Sequence, residues 1–169
     1  MLIAMIVAMD NDSSIGQNGG LPWKLSSDIK RFKKITQGEG YNAVIMGRKT
    51  WNSLPSKYRP LSGRINIVMS RDSDWSDEGA WNALYPGRAI EIAYSEGCEE
   101  CWIIGGSQIY ELFIDMVDEI HITEVDTNNS GEIKFPKWPR EGWSEYIIEK
   151  ILKNRENDFD TKYSIWKKD

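Results

Sequence analysis

The sequence predicts one α/β domain over residues 1–169: a central twisted, mostly parallel sheet of about eight strands, with an antiparallel C-terminal strand and about four flanking helices. Three observations carry this. The length is that of one ordinary domain. Short apolar runs alternate with segments of helical periodicity, the pattern of consecutive βαβ units. Two β candidates, 143–151 and 159–166, then follow each other with no helix demanded between them, which turns one end of the sheet antiparallel.

Taken in order, Leu2 to Met9 is the first strand. Residues 10–22 (DNDSSIGQNGGLP) are loop chemistry, rich in Asn, Gly and a closing Pro. Ser26 or Ser27 is the expected cap of a helix running to about Ile35, with Gly38 beyond its end. Ala43 to Met46 is a short strand, and Gly47 introduces a short helix from Arg48 to about Leu54. Pro55, Pro60 and Gly63 punctuate a loop before the strand Ile65 to Met69. Residues 72–87 read as loop with one short strand near Trp81, followed by a helix around Arg88 to Ser95. Cys101 to Ile104 is a strand broken by Gly105 and Gly106. Ile109, Leu112, Phe113 and Met116 recur at i, i+3, i+4 and i+7 as an amphipathic helix. Glu119 to Val125 is the last strand before the tail pair.

Charge and composition exclude several functions. The net charge of −5 argues against a broadly basic nucleic-acid binder, which needs a cationic surface to meet phosphates. The longest apolar run, Met1 to Met9, is far short of the ~20 residues that span a bilayer. It lacks a basic flank and a small-residue cleavage site, so the expected location is cytoplasmic. Cys98 and Cys101 form a lone C-x-x-C, and the single histidine, His121, lies 20 residues away. A four-ligand zinc site is therefore not expected, and reduced thiols beside a strand are.

Ligands of open α/β sheets bind at the carboxyl ends of the strands. Three such ends suit phosphate. Met46-Gly47-Arg48-Lys49-Thr50 combines close backbone approach, a helix start and two cations. Met69-Ser70-Arg71 offers a hydroxyl and a guanidinium. Ile103-Ile104-Gly105-Gly106-Ser107-Gln108 runs a strand through Gly-Gly into a helix. Each is weak alone, and three on one sheet edge reinforce one another. There is no P-loop and no G-x-G-x-x-G. Asp28 falls in the first turn of the first helix. An acid there is favoured by the helix dipole, but Phe32 and Ile35 share its face. A half-buried carboxylate in that place suits a cationic or multiply donating heterocycle. Lys30, Arg31, Lys33 and Lys34 on the same helix read as a solvated face, and His121 as a structural imidazole.

Together these segments resemble the dihydrofolate reductase family, from Ile3 to about Ile165. The resemblance rests on residues 15–23 (IGQNGGLPW), on Asp28 with Phe32 and Thr36, on residues 44–51 (VIMGRKTW), on residues 59–64 (RPLSGR), and on Ile103-Ile104-Gly105-Gly106 with Tyr110. It implies NADPH-dependent reduction of dihydrofolate by a monomer that binds neither nucleic acid nor membrane. Asp28 is then the pterin-binding acid, supported by Thr123. Leu21 and Trp23, at the end of a lid over the nicotinamide, join Asp28 as the residues expected to govern catalysis. Ile6, Ala8, Leu21, Ile29, Phe32 and Leu54 would wall the substrate, Arg64 would fork onto the α-carboxylate of its glutamate tail, and Arg59 would be a looser contact. NADPH would meet Ala8, Ile15, Gly16, Gly20, Gly47, Arg48, Lys49, Thr50, Met69, Ser70, Arg71, Ile104, Gly105, Gly106, Ser107, Gln108, Ile109 and Tyr110. A cis peptide is implied at Gly105–Gly106. Two rivals stay in view: a reductase of the same fold acting on a pyrimidine intermediate of riboflavin synthesis, and a non-catalytic binding protein.

Overall fold

The computed structural model describes residues 1–16, 23–128 and 131–169. Its main sheet has eight strands in the order β5-β4-β3-β6-β1-β7-β10-β9. The ranges are β1 Leu2–Asp10, β3 Asn42–Gly47, β4 Ile65–Met69, β5 Ala80–Ala83, β6 Glu100–Gly105, β7 Glu119–Val125, β9 Trp143–Ile151 and β10 Thr161–Lys168. Pairing is parallel from β5 through β7. β10 alone runs against its neighbours β7 and β9. Four helices cover the faces: α1 Ser26–Gln37, α2 Arg48–Ser53, α3 Pro86–Ser95 and α4 Ser107–Phe113. Among the described residues no helix is long and apolar enough to cross a membrane.

Period-2 alternation sorts the strand side chains into two cores. Met5, Ala43, Ile45 and Ile67 pack with Ala89 and Ile92 of α3 and Phe113 of α4. Ala4, Val44, Met46, Val68 and Trp102 face the other way, onto Trp51 of α2 and Ile35 of α1. Both faces of the central strands are buried, which is why those strands read as continuous apolar runs.

Four expectations need correction. Neither Ser26 nor Ser27 caps α1: the cap residue is Leu25, with no side-chain cap hydrogen bond. A distant loop does the work instead. Ser26 N–H donates to the Glu156 carbonyl at 3.0 Å, and Ser27 N–H donates to Asn157 Oδ1 at 3.1 Å. The last helix stops at Phe113 instead of reaching Met116, and Leu112 and Met116 are exposed. The chain has to leave the helix there because Asp118 N–H donates to the Ile3 carbonyl at 2.7 Å, docking the start of β7 on β1. Residues 10–22 are not wholly loop: β2 (Ser14–Gly16) pairs with β8 (Ile133–Lys134) in a separate two-stranded sheet. Finally, Arg31 is not solvated like Lys30, Lys33 and Lys34, but folds back against the protein.

Two residues named for the lid, Gly20 and Leu21, lie outside the described residues, as does the rest of 17–22. Cys98 and Cys101 are free and buried, and burial pushes the Cys101 thiol up to about 12. His121 is buried between the Tyr163 hydroxyl, 2.6 Å from Nδ1, and Glu119 Oε2, 2.9 Å from Nε2. Burial lowers its pKa, so the ring is held neutral as a structural group.

Candidate active site

One long cleft of about 1700 Å³ crosses the carboxyl ends of the parallel strands. Typical small-molecule pockets are ~300–1,000 Å³, so this one has room for two ligands side by side. Its floor comes from Ile6 to Ala8 on β1, Gly47 at the end of β3, Met69 on β4 and Ile104-Gly105 on β6.

At one end the cleft is apolar around a single acid. Asp28, Ile29 and Phe32 of α1 face Ile6, Ala8 and Leu54. Asp28 is placed by the start of α1, and only 17% of its side chain is exposed. Its Oδ1 accepts from Thr123 Oγ1 at 2.6 Å and from Arg31 at 3.2 Å. Among the described residues its Oδ2 accepts no hydrogen bond, so one carboxylate oxygen is committed and the other is free. Burial raises the carboxyl above its ordinary value, and Thr123 and Arg31 offset this only in part. Thr123→Val should therefore move the titration midpoint of Asp28 further up, read by carbon NMR of labelled aspartate. It should also cost about 1–3 kcal/mol at neutral pH, because a buried acceptor loses its donor.

At the other end the cleft is cationic and polar. Arg48, Lys49 and Thr50 open α2 directly after β3, and Ser70 and Arg71 follow β4. Arg48 lies over the Trp75 ring, 5.7 Å from its centroid. The Ser70 hydroxyl is partly spent on its own turn: it accepts from the Asp72 N–H at 3.0 Å. Between the two ends, Gly105 and Gly106 lead into α4 through a cis peptide. The glycines shape the floor. A Cβ on Gly47 would stand 3.0 Å from Ile109 Cγ1, and one on Gly105, at φ +119°, would stand 3.2 Å from the Tyr110 hydroxyl. A Cβ on Gly106 would have only Thr50 Oγ1, at 3.8 Å, so its backbone faces open space. The Tyr110 hydroxyl donates to the Ile6 carbonyl at 2.7 Å, tying α4 to β1.

These features fit a dinucleotide. The rim holds two arginines and a lysine for phosphate, the unsatisfied N–H groups that begin a helix follow Gly106, and glycine allows close approach of the chain.

Ile15, Gly16, Ser107, Gln108 and Ile109 also line the cleft. Thr123 stands behind Asp28 and touches the cleft only through it. Thr123 does not line it, and among the described residues neither do three others expected there. Trp23 is buried with Leu25 and Val125. Arg64 lies beside α1, donating to Thr36 Oγ1 at 3.0 Å and to the Ser62 carbonyl at 2.9 Å. Arg59 sits over Trp51, 5.6 Å from the ring centroid.

Other lining residues escaped the sequence reading. Leu84, Tyr85 and Pro86 follow β5, and the same strand-end rule applied to that strand would have found them. Asp72 also lines the cleft two residues after Ser70, though its Oδ1 accepts from the Asp74 N–H at 2.9 Å. Ile133 and Lys134 arrive through β8, which no local pattern marks, and Glu132, which the resemblance places in a loop that bears on the lid, lines the cleft just before them. Lys134 Nζ donates to Ser14 Oγ at 2.9 Å, and its carbonyl accepts from Ser107 Oγ at 2.8 Å, joining β8 to both β2 and α4.

Comparison with known proteins agrees with this architecture. The family model described as dihydrofolate reductase matches residues 2–168. A dihydrofolate reductase of Bacillus subtilis (strain 168) is 33% identical over 167 residues, covering 99% of this chain and 95% of its own. A dihydrofolate reductase of Mycobacterium leprae (strain TN) is 42% identical over 126 residues, 75% of this chain and 73% of its own. The type 3 dihydrofolate reductase of Salmonella typhimurium is 37% identical over 145 residues, 86% and 85% of the two chains.

Proposed function

The chain belongs to the dihydrofolate reductase family and is an oxidoreductase, and from that premise we propose that it reduces 7,8-dihydrofolate to 5,6,7,8-tetrahydrofolate with NADPH. The observation that carries the reading is the half-committed carboxylate of Asp28 at the apolar end of a cleft whose other end is cationic. Such a carboxylate suits a ring that presents two neighbouring donors, as the 2-amino group and N3 of a pterin do.

When bound in the cleft, NADPH would supply the hydride for C6 of the substrate and leave as NADP+, with the proton for N5 coming from solvent. The chain's own residues bind, orient and exclude water. Asp28 accepts the pterin donors on Oδ2 while Thr123 holds Oδ1. Ile6, Ala8, Ile29, Phe32 and Leu54 wall the ring and benzoyl groups, leaving positioning and desolvation as the main contribution. Arg48, Lys49, Ser70 and Arg71 hold the phosphate-bearing end of the cofactor. Arg64 and Arg59 serve the glutamate tail from outside the cleft lining. The product feeds one-carbon metabolism and thymidylate synthesis, and the working state is a cytoplasmic monomer.

The decisive assay follows NADPH absorbance with the purified chain, with and without dihydrofolate. Loss that depends on dihydrofolate is expected, and its absence with a folded protein sinks the reading. A pyrimidine substrate of riboflavin synthesis run beside it tests the rival reductase.

Cofactor choice yields a separate prediction. NADPH differs from NADH by one phosphate on the adenosine ribose, so discrimination needs cations near one point. A hydrogen bond to a charged group is worth roughly 1.5–3 kcal/mol, and solvent exposure pushes Arg71 toward the lower figure. Arg71→Ala should weaken NADPH at least several-fold and leave NADH nearly untouched, less so at high salt. An unchanged NADPH-to-NADH ratio of kcat/KM would remove Arg71 from that role.

A further inference from the structure

Arg31 sits one helical turn after Asp28 on α1, and its side chain is only 13% exposed. Its neighbours Lys30, Lys33 and Lys34 are all exposed. Three separate elements fix it. One terminal nitrogen meets Asp28 Oδ1 at 3.2 Å. The other donates to Glu149 Oε1 of β9 at 2.7 Å. The guanidinium carbon lies over the Tyr163 ring of β10, 4.3 Å from its centroid. A surface arginine has no reason to be held from three sides, since each contact restricts a side chain of high rotamer freedom. The planar fork serves two carboxylates at once, which a lysine ammonium cannot do with the same geometry.

We propose that Arg31 is a positioning residue that keeps Asp28 ionised for substrate, by occupying one carboxylate oxygen with a fixed counter-charge while the other stays open to the pterin. This rests on the reading of Asp28 as the pterin-facing acid.

The surroundings of Asp28 leave this task to Arg31. Tyr110 of α4 and Tyr163 of β10 face it with phenols that burial holds neutral, Tyr163 being pushed up to about 12. Glu149 of β9 faces Arg31 and shares its charge. His121 lies beyond Tyr163 and is itself held neutral. Arg31 is thus the one cation against Asp28 among the described residues. Burial drives the Asp28 carboxyl upward, and Thr123 and Arg31 are what oppose it. Without Arg31, Thr123 opposes burial alone, a smaller fraction of Asp28 is ionised near neutral pH, and the pterin is held less well.

The test uses the full chain carrying Arg31→Met or Arg31→Lys. Carbon NMR of labelled aspartate gives the Asp28 midpoint in the free protein, and steady-state kinetics give KM and kcat for dihydrofolate against pH. Arg31→Met should raise the midpoint, raise KM at neutral pH roughly tenfold, and change kcat less. Arg31→Lys should recover part of both shifts, because a cation returns without the fork. Adding Arg31→Met to Asp28→Asn should change KM no further, since no carboxylate remains to be held. An unmoved midpoint in a folded Arg31→Met protein overturns the proposal. A moved midpoint with unchanged KM overturns the pterin reading of Asp28 and the positioning role with it, while the ion pair stands.

Discussion

Asp28→Asn is expected to slow turnover of dihydrofolate by roughly 10²–10⁴, the range typical of a positioned acid–base group, while NADPH still binds. Amide and carboxylate have nearly the same shape, and Thr123 can still donate to the remaining oxygen. What disappears is the second acceptor for the pterin donors and the charge that answers them. The same substitution should not weaken the fold. Burial raises the Asp28 carboxyl above 3.8, so the folded state holds this proton to a higher pH than the unfolded chain does, though Asp28 is still ionised near neutral pH. The stability from this group is fully present below the unfolded midpoint and is lost as pH rises through the folded one. Asparagine carries no such loss, so at neutral pH the variant should melt no lower than the parent. Kinetics beside urea unfolding separate the two effects. A loss under fivefold in kcat/KM would remove Asp28 from the chemistry.

Trp51→Ala should cost the most stability. Trp51 is 0% exposed and packs on Val44, Met46, Val68 and Trp102. Its indole N–H donates to Asp77 Oδ2 at 2.8 Å, and its ring meets Trp75 edge-on at 6.4 Å. Removing a buried tryptophan side chain costs ~3–5 kcal/mol. For a domain of this size that is roughly 10 °C in Tm. The loss extends to binding, because Trp51 anchors the short helix that carries Arg48, Lys49 and Thr50 to the cleft. Trp51→Phe keeps most of the packing and should lose less than half as much. It also frees Asp77, whose carboxyl the indole holds below its ordinary value. Calorimetry of the two variants checks the order, and equal losses would show that the hydrogen bond, not the packing, dominates.

How much of this was legible in the sequence depends on whether the signal is local. The parallel strands and their ends were readable because each is a short apolar run stopped by Gly, Ser or Arg. The strand-end rule then pointed to Gly47, Ser70 and Gly105, which all line the cleft. Asp28 was readable because Phe32 shares its helix face. What stayed hidden depends on partners far along the chain. Arg31 looks like one of four cations until Glu149 and Tyr163 are brought to it. β8 is two residues long and is defined only by its pairing with β2. The start of α1 carries two serines that match the sequence signal for a cap, yet neither is used, because Asn157 supplies the acceptor instead.

That borrowed cap has a consequence for the order in which a ribosome makes the molecule. Asn157 follows Ser27 by 130 residues, and translation at ~5–20 residues per second needs on the order of ten seconds to deliver it. During that interval the nascent α1 has neither Asn157 nor the completed β9–β10 pair that supplies Glu149 and Tyr163 to Arg31. Asp28 is therefore synthesised early and set late. A stalled chain that ends before residue 154 would contain every described cleft-lining residue and still lack Asn157 and Tyr163, and with them a rigid acid. Antifolate-like ligands added to arrested nascent chains should bind only once the β9–β10 segment has cleared the exit tunnel.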